Sequence, residues 1–290
     1  MSTVSSTSTV TPQVLADALS ALHDNPPLVQ CLTSIVVAGW TANVLLAVGA
    51  APAMVDNPHE AGQFAAIAGA VLVNLGTPYD DTAHAMHLAV AGAKAAGTPW
   101  VLDPVAVGAL GWRTSLAQQL LNEARPAIIR VNASEILALA GGTGGRGVES
   151  VDSPEAAAQV ARDLAEQQQS VIAVSGPIDH ITDGDRMVRL SNGHPWLTRV
   201  SGVGGALGAL MAAFAAVVPD ALVAAAAATA IQAAGLTERC KAIGGDFFVA
   251  APAGGDAYLL KLILHDWDDA RCVTVLRACR EVMPAHGRLL

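Results

Sequence analysis

The sequence predicts an α/β protein in which helices flank a mainly parallel sheet. Hydrophobic residues make up 52% of the 290 residues and charged residues 14%, which excludes a disordered chain. Small apolar residues supply most of this content and aromatic residues only 4%, which favours close packing of helices on a sheet. Short apolar runs alternate with turns and amphipathic helices, a rhythm typical of a parallel sheet wrapped by helices.

The first predicted elements precede residue 56. Apolar spacing predicts a surface helix over residues 12–25, which Pro26 and Pro27 close. Residues 34–48 are apolar nearly all round and are followed by Gly49, which predicts a buried helix. We expect the next segment, residues 51–55, to enter the sheet.

The middle of the chain repeats one unit, an apolar run followed by a helix. Strands are predicted at residues 70–75, 99–102, 127–130 and 170–174, and helices at residues 81–96, 113–121, 133–140 and 154–169. Residues 187–190 and 196–200 are predicted to form an antiparallel hairpin through Ser191-Asn192-Gly193. A glycine-rich turn and an apolar helix to about Val217 follow.

Charge and composition exclude several classes of partner. The formal net charge of -9 would repel nucleic acid and gives no reason to expect a membrane surface as partner. The richest apolar stretch, residues 221–234, is too short to span a bilayer, and residues 1–11 lack the features of a signal peptide. The 4 cysteines form no CxxC pair, so neither a disulfide framework nor a zinc site is expected, and a cytoplasmic location fits.

Polar residues follow the predicted strands, at the edge where parallel sheets bind ligands. They are Asn74, Thr77, Asp103, Arg130, Asn132, Glu135 and Ser175. Each also has a purely structural interpretation: Asn132 is a candidate helix cap, and Asp103 before Pro104 is a candidate strand end.

The same residues could serve phosphoryl transfer, which needs a metal, a cation on the phosphates and backbone N–H groups aimed at the developing charge. Asp103 and Glu135 are oxygen ligands suited to Mg²⁺, and Arg130 could clamp phosphate. The turn Ser201-Gly202-Val203-Gly204-Gly205 precedes a helix, so its amides could bind an anion. As a pattern this turn is also compatible with a flexible connection that binds nothing.

Several segments together resemble the hydroxyethylthiazole kinase family, which has a ribokinase-like fold. The resemblance covers about residues 27–234. It includes Asn74-Leu75-Gly76-Thr77, Asp103-Pro104-Val105, Arg130-Val131-Asn132-Ala133-Ser134-Glu135-Ile136 and Ser201-Gly202-Val203-Gly204, together with residues 31–33, 41–46 and 49–54.

The resemblance implies ATP-dependent phosphorylation of 4-methyl-5-(2-hydroxyethyl)thiazole with Mg²⁺, as in thiamine salvage. It also implies a homotrimer with active sites between subunits. By position, the residues that would contact the thiazole are Met54 and Gly202, those that would contact ATP are Arg130 and Ser175, and those that would organise the metal are Asp103 and Glu135.

The chain departs from the family pattern at the expected catalytic position. Gly205 stands where family members commonly carry Cys or Asp, the expected base for the substrate hydroxyl, and glycine cannot accept a proton. We therefore expect slow activity, with a catalytically dead thiazole- or nucleotide-binding relative as the alternative. Ser34 replaces the usual Asn, Ala106 replaces the usual Gly, and the family's final Gly-Pro-Gly-Ser-Phe segment is missing.

The sequence is predicted to divide at residue 236 into a kinase-like domain, 1–236, and a tail, 237–290. Three segments of the tail, Gly244-Gly245-Asp246-Phe247-Phe248 and residues 256–261 and 264–269, together resemble a truncated piece of an S-adenosylmethionine-dependent O-methyltransferase. The resemblance implies that Asp246 and Lys261 would approach the cofactor and that His265 would be the base. The glycine-rich cofactor loop is absent and the sheet would be incomplete, so we expect a non-functional fragment from fusion, recombination or sequence assembly.

Overall fold

The structure is a computed structural model that describes residues 10–141, 154–191, 202–233, 246–258, 260 and 264–289. The chain divides into two compact units, residues 1–234 and 235–290. None of the helices in these ranges is long and apolar enough to cross a membrane.

The first unit is built on an eight-stranded sheet in the described part of the chain. The strands are β1 Leu28–Leu32, β2 Ala51–Ala53, β3 Ala70–Asn74, β4 Trp100–Asp103, β5 Ile128–Asn132, β6 Val171–Ser175, β7 Asp179–Thr182 and β8 Met187–Leu190. Their order is β2-β1-β3-β4-β5-β6-β7-β8. The first six strands pair in parallel, while β7 and β8 run antiparallel at one edge. The predicted fold class, a mainly parallel sheet flanked by helices, is confirmed.

Helices cover both faces of the sheet. They are α1 Pro12–Asp24, α2 Ala38–Val48, α3 Ala61–Ile67, α4 Asp80–Ala96, α5 Gly111–Glu123, α6 Ala133–Gly141, α7 Pro154–Gln168, α8 Val203–Val217 and α9 Ala221–Ala233. One apolar core joins the sheet to α1, α2, α8 and α9, and a second core joins its other face to α3 through α7. Successive strand residues such as Val71 and Leu72 contribute to opposite cores, as the alternation of side chains along a strand requires.

Helix α8 lies at the centre of its layer, since all its residues from Gly205 to Phe214 are buried. It packs on β3 and β4 and between the neighbouring helices. Small side chains allow this close approach: a Cβ on Gly208 would lie 3.0 Å from Leu72 and 3.5 Å from Asp103 Oδ2. The amino end of α8 is thereby placed at the carboxyl ends of the two central strands.

One predicted element needs correction. The buried helix predicted over residues 34–48 begins only at Ala38, because residues 35–37 form a turn in which Ile35 N donates to Thr77 Oγ1 at 3.0 Å. Ile35 and Val36 are 72% and 71% exposed. β8 pairs with β7, a strand that the sequence analysis missed, while residues 196–200, the partner predicted for residues 187–190, lie outside the described residues.

The second unit contains helix α10, Asp269–Val282, and two short parallel strands, β9 Ala257–Tyr258 and β10 Arg288–Leu289. Phe248 packs edge-on against Trp267 with ring centroids 4.9 Å apart. Lys261 and the side chain of His265 lie outside the described residues, so the methyltransferase-like origin of the tail stays a prediction.

Candidate active site

Polar side chains meet at the carboxyl ends of the central strands. Asn74 ends β3 and lies opposite Asp103, which ends β4. Asn132 and Ser175 form the corresponding pair at the ends of β5 and β6. Because these strands are parallel and adjacent, residues far apart in sequence come together along one edge of the sheet.

The Asp103 carboxylate is the centre of this cluster and is fully buried. Asn74 Nδ2 donates to Asp103 Oδ2 at 2.6 Å, and Arg130 Nη1 donates to Asp103 Oδ1 at 3.3 Å. Both carboxylate oxygens are therefore oriented by fixed donors.

Burial raises the pKa of the Asp103 carboxyl above its ordinary value, because water no longer solvates the charged form. Arg130 and the amide of Asn74 lower the pKa, and the nearby Glu135 carboxylate raises it. Burial is the largest of these effects, so one guanidinium compensates the buried acidic charge incompletely. The site is electrostatically suited to a further cation.

Arg130 connects this carboxylate to the next strand and to helix α8. Its Nε and Nη2 donate to Ser175 Oγ at 3.2 and 3.1 Å. A Cβ on Gly204 would lie 2.6 Å from Arg130 Nη1, so the guanidinium packs against the first turn of α8 and would have to move to admit a side chain there. A cation and the positive end of a helix macrodipole thus lie side by side, an arrangement that an anion would stabilise.

Two glycines at the start of α8, Gly202 and Gly205, differ in whether a side chain could replace the hydrogen. Gly202 has φ of 88°, in the left-handed region, and a Cβ there would collide with Val37. At Gly205, in contrast, the nearest atoms to a Cβ are Asn74 Nδ2 at 3.5 Å and Val37 Cγ2 at 3.6 Å, which are ordinary contacts. The position therefore has room for a side chain beside Asn74. Ser201 lies outside the described residues.

Glu135 is buried near the start of α6 and is held by two backbone amides. Ala106 N donates to its Oε1 at 3.0 Å and Asn132 N donates to its Oε2 at 2.9 Å. Asn132 Oδ1 accepts from Glu135 N at 2.9 Å, so the predicted helix cap is present as well. Each oxygen of Glu135 keeps a lone pair for a further ligand.

Met54 lies in a separate part of this edge, at a small cavity beyond the ends of β1, β2 and β3. The cavity measures about 120 Å³, less than the space that drug-sized ligands need. Its lining consists of Cys31, Thr33, Ile35, Ala38, Met54, Asp56, Thr77, Tyr79 and Thr82. Gly202 of the glycine turn lies against Val37, and Val37 precedes Ala38, which lines the cavity. Only the segment around Val37 therefore separates the cavity from the glycine turn.

The structure thus brings the predicted residues Asp103, Glu135, Arg130 and Ser175 together. Gly205 lies beside the Asn74 side chain of the same cluster, and Met54 lines the adjoining cavity. Sequence reasoning missed Asp179, whose Oδ1 accepts from Gly176 N at 3.0 Å beyond β6. Burial raises the pKa of Asp179, and the field of Arg130 lowers it. Asp179 follows Ser175 by four residues and belongs to no recognisable motif, so no signal in the sequence pointed to it.

Comparison with known proteins agrees with this geometry. The hydroxyethylthiazole kinase family model matches residues 19–251. The chain belongs to the hydroxyethylthiazole kinase family. It is 56% identical over 219 residues to the hydroxyethylthiazole kinase of Cutibacterium acnes, covering 75% of this chain and 79% of that protein. It is 59% identical over 215 residues to the hydroxyethylthiazole kinase of Clavibacter sepedonicus, covering 74% of this chain and 78% of that protein.

Solved structures confirm the ribokinase-like fold. The hydroxyethylthiazole kinase protein from Pyrococcus horikoshii OT3 superposes with a TM-score of 0.72 at 28% identity, covering 94% of both chains. A ribokinase-like superfamily protein from Enterococcus faecalis gives a TM-score of 0.55 at 13% identity, covering 79% of this chain and 87% of that one, and shows the fold alone. The protein is a phosphotransferase with the hydroxyethylthiazole kinase function, and ATP is its co-substrate.

The loop after Asp103 contains backbone strain that glycine would relieve. Ala106 has φ of 63°, in the left-handed region, where a residue with a Cβ costs about 1–2 kcal/mol. Part of the gain from Ala106→Gly is offset by a more flexible unfolded chain, about 0.4–1 kcal/mol. We therefore expect Ala106→Gly to raise the free energy of unfolding by up to about 1 kcal/mol, measured by urea denaturation.

Gly97→Ala is the matched control, because Gly97 has φ of 74° and a Cβ there would meet nothing within 4 Å. This variant isolates the backbone effect and is expected to lose about 1 kcal/mol. A clear loss of stability in Ala106→Gly would show that the Ala106 methyl group makes a stabilising contact that outweighs the strain.

Proposed function

We propose that this chain transfers the γ-phosphoryl group of ATP to the hydroxyl of 4-methyl-5-(2-hydroxyethyl)thiazole, at a reduced rate. The observation that carries the residue assignment is the position of Arg130, fixed by Asp103 and Ser175 against the first turn of α8. Phosphoryl transfer depends mainly on positioning and on stabilising charge, and this cluster supplies both.

ATP binds, in this proposal, with its phosphates between Arg130 and the amino end of α8. The N–H groups of residues 203–205 precede the first hydrogen bond of the helix, from Ala206 N to Gly202 O, and in this proposal they donate to the same phosphates as the guanidinium. Ser175 orients Arg130 through its hydroxyl and lies within reach of the nucleotide. The Arg130 guanidinium is already held in place, so it then contacts phosphate oxygens without losing further side-chain freedom.

Mg²⁺ fits the residues at this edge. Mg²⁺ typically binds through one or two carboxylates plus phosphates and waters, and Asp103 and Glu135 are two buried carboxylates beside a single arginine. When bound, Mg²⁺ would neutralise negative charge on the transferred phosphate.

The thiazole ring occupies the cavity beside Met54, and its hydroxyethyl arm extends past Val37 towards Gly205. The apolar lining of Cys31, Ile35 and Ala38 suits a small heteroaromatic ring. At Gly205 the hydroxyl meets no side chain that can take its proton. General-base assistance is worth about 10²- to 10⁴-fold, while a loose phosphoryl-transfer transition state depends on it less, so slow turnover is expected.

The test is to restore a base. We expect Gly205→Cys to raise kcat about tenfold or more, because a thiol at this position would lie beside Asn74 and near the acceptor hydroxyl. Gly205→Ala is the matched control, since it adds the same Cβ without a proton acceptor. The assay follows thiazole phosphate with pure protein, Mg-ATP and the thiazole alcohol.

Three results are distinguishable. Product from the wild type and faster product from Gly205→Cys alone support the proposal. Equal rates in all three proteins would refute the role of position 205. Calorimetric binding of the thiazole or ATP with no product in any variant would instead identify a catalytically dead binding relative.

A homotrimer with shared active sites is the proposed assembly. Exposed apolar side chains cluster at the start of α2: Ile35 and Val36 are 72% and 71% exposed, and Trp40 is 44% exposed. Contiguous apolar surface of this kind marks protein interfaces, and Ile35 also lines the Met54 cavity. A neighbouring subunit would cover this surface and help to enclose the thiazole.

Sedimentation equilibrium tests the assembly. The wild type is expected to sediment with three times the mass of the 29.4 kDa chain, and Val36→Glu, which places a charge in the interface, is expected to dissociate it. A wild-type monomer at micromolar concentration would contradict this assembly.

We also place the protein in the cytoplasm, where ATP is available and where the described cysteines Cys31, Cys272 and Cys279 would stay free.

A further inference from the structure

The cavity beside Met54 contains a carboxylate that the kinase reaction does not use. Asp56 is the single charged residue in its lining, whose other members are apolar or neutral polar side chains. The cavity therefore carries a net negative charge, which a neutral thiazole does not need.

Two of the other polar groups of the lining, Thr77 and Thr82, are already engaged, whereas the buried hydroxyl of Thr33 has no hydrogen-bond partner among the described residues. Thr77 Oγ1 accepts from Ile35 N and donates to Ser34 Oγ at 3.3 Å. Thr82 Oγ1 accepts from Tyr79 N and donates to Tyr79 O at 3.1 Å. Asp56, in contrast, makes no hydrogen bond or ion pair to any other residue in the described ranges, so its carboxylate remains available to a ligand.

The neighbouring side chains suit a cation as well. Tyr79 is 64% exposed and Met54 37% exposed, so an aromatic ring and a polarisable thioether are accessible in the same cavity lining as the carboxylate. Aromatic faces attract cations, and the attraction adds to that of a nearby carboxylate. This combination distinguishes a positively charged ring from a neutral ring of the same size.

We propose that the acceptor site prefers hydroxyethyl azoles whose ring carries a positive charge, that is, azolium alcohols. The proposal rests on the proposed function, since it assigns the acceptor to the Met54 cavity. The reaction is unchanged: the acceptor oxygen bonds to the γ-phosphorus, the bond to the β–γ bridging oxygen breaks, ADP leaves and the hydroxyl proton passes to solvent. The charge of the ring alters only how well it is held.

The experiment compares two acceptors that differ in charge. The probes are 4-methyl-5-(2-hydroxyethyl)thiazole and its N-methylated thiazolium, each given to the full-length protein with Mg-ATP and each titrated calorimetrically. The proteins are wild type, Asp56→Asn and Asp163→Asn, the last of which removes the same charge from α7. We expect the wild type to favour the thiazolium in binding and in kcat/KM by about three- to tenfold, since the carboxylate is partly exposed and screened.

Asp56→Asn is expected to lose this preference, so that it no longer distinguishes the two rings, and Asp163→Asn is expected to behave as wild type. A neutral ring that binds and reacts as well as the thiazolium, or a preference that survives in Asp56→Asn, would overturn the inference and leave the proposed function intact. If neither acceptor is phosphorylated, the proposed function fails, and the calorimetric preference still decides the inference in the same way.

Discussion

The candidate active site depends on one interaction, the contact of the Arg130 guanidinium with the first turn of α8. Asp103 and Ser175 hold the guanidinium from two strands, and Gly204 leaves the space that it fills. The contact joins three elements that are far apart in sequence. It also sets a cation beside a helix amino end, a pair of like charges that is favourable only when an anion lies between or near them. The Asp103 carboxylate already supplies one such anion, and the phosphates of ATP would supply another.

Burial gives this cluster its stiffness. Asp103 is fully buried, and its pKa is raised because desolvation outweighs the attraction of Arg130. A buried carboxylate with fixed partners on both oxygens cannot relax when charge moves nearby, which is the property that electrostatic catalysis requires. The loop that follows Asp103 shares this rigidity, since Ala106 keeps a strained conformation in which its amide binds Glu135.

The sequence predicted most of this architecture because its apolar periodicity is strong from β3 to β6 and in α8. Elements with short or weak periodicity were missed: β1 follows two prolines, α3 has only seven residues, and β7 reads as part of a loop. The residues at strand ends could be predicted as a group from the sheet topology. The packing of Arg130 on Gly204, the open space at Gly205 and the carboxylate in the Met54 cavity could not, because each depends on the three-dimensional approach of separate segments.

The central claim is that ATP affinity depends on Arg130 lying against Gly204. Gly204→Ala and Gly205→Ala each add one methyl group to the first turn of α8, but only the first would lie 2.6 Å from the guanidinium. Calorimetric titration with ATP should show about tenfold or greater loss of affinity in Gly204→Ala, because the charge-assisted contacts of Arg130 are displaced, and near wild-type affinity in Gly205→Ala. Equal ATP affinity in Gly204→Ala and wild type would contradict the account.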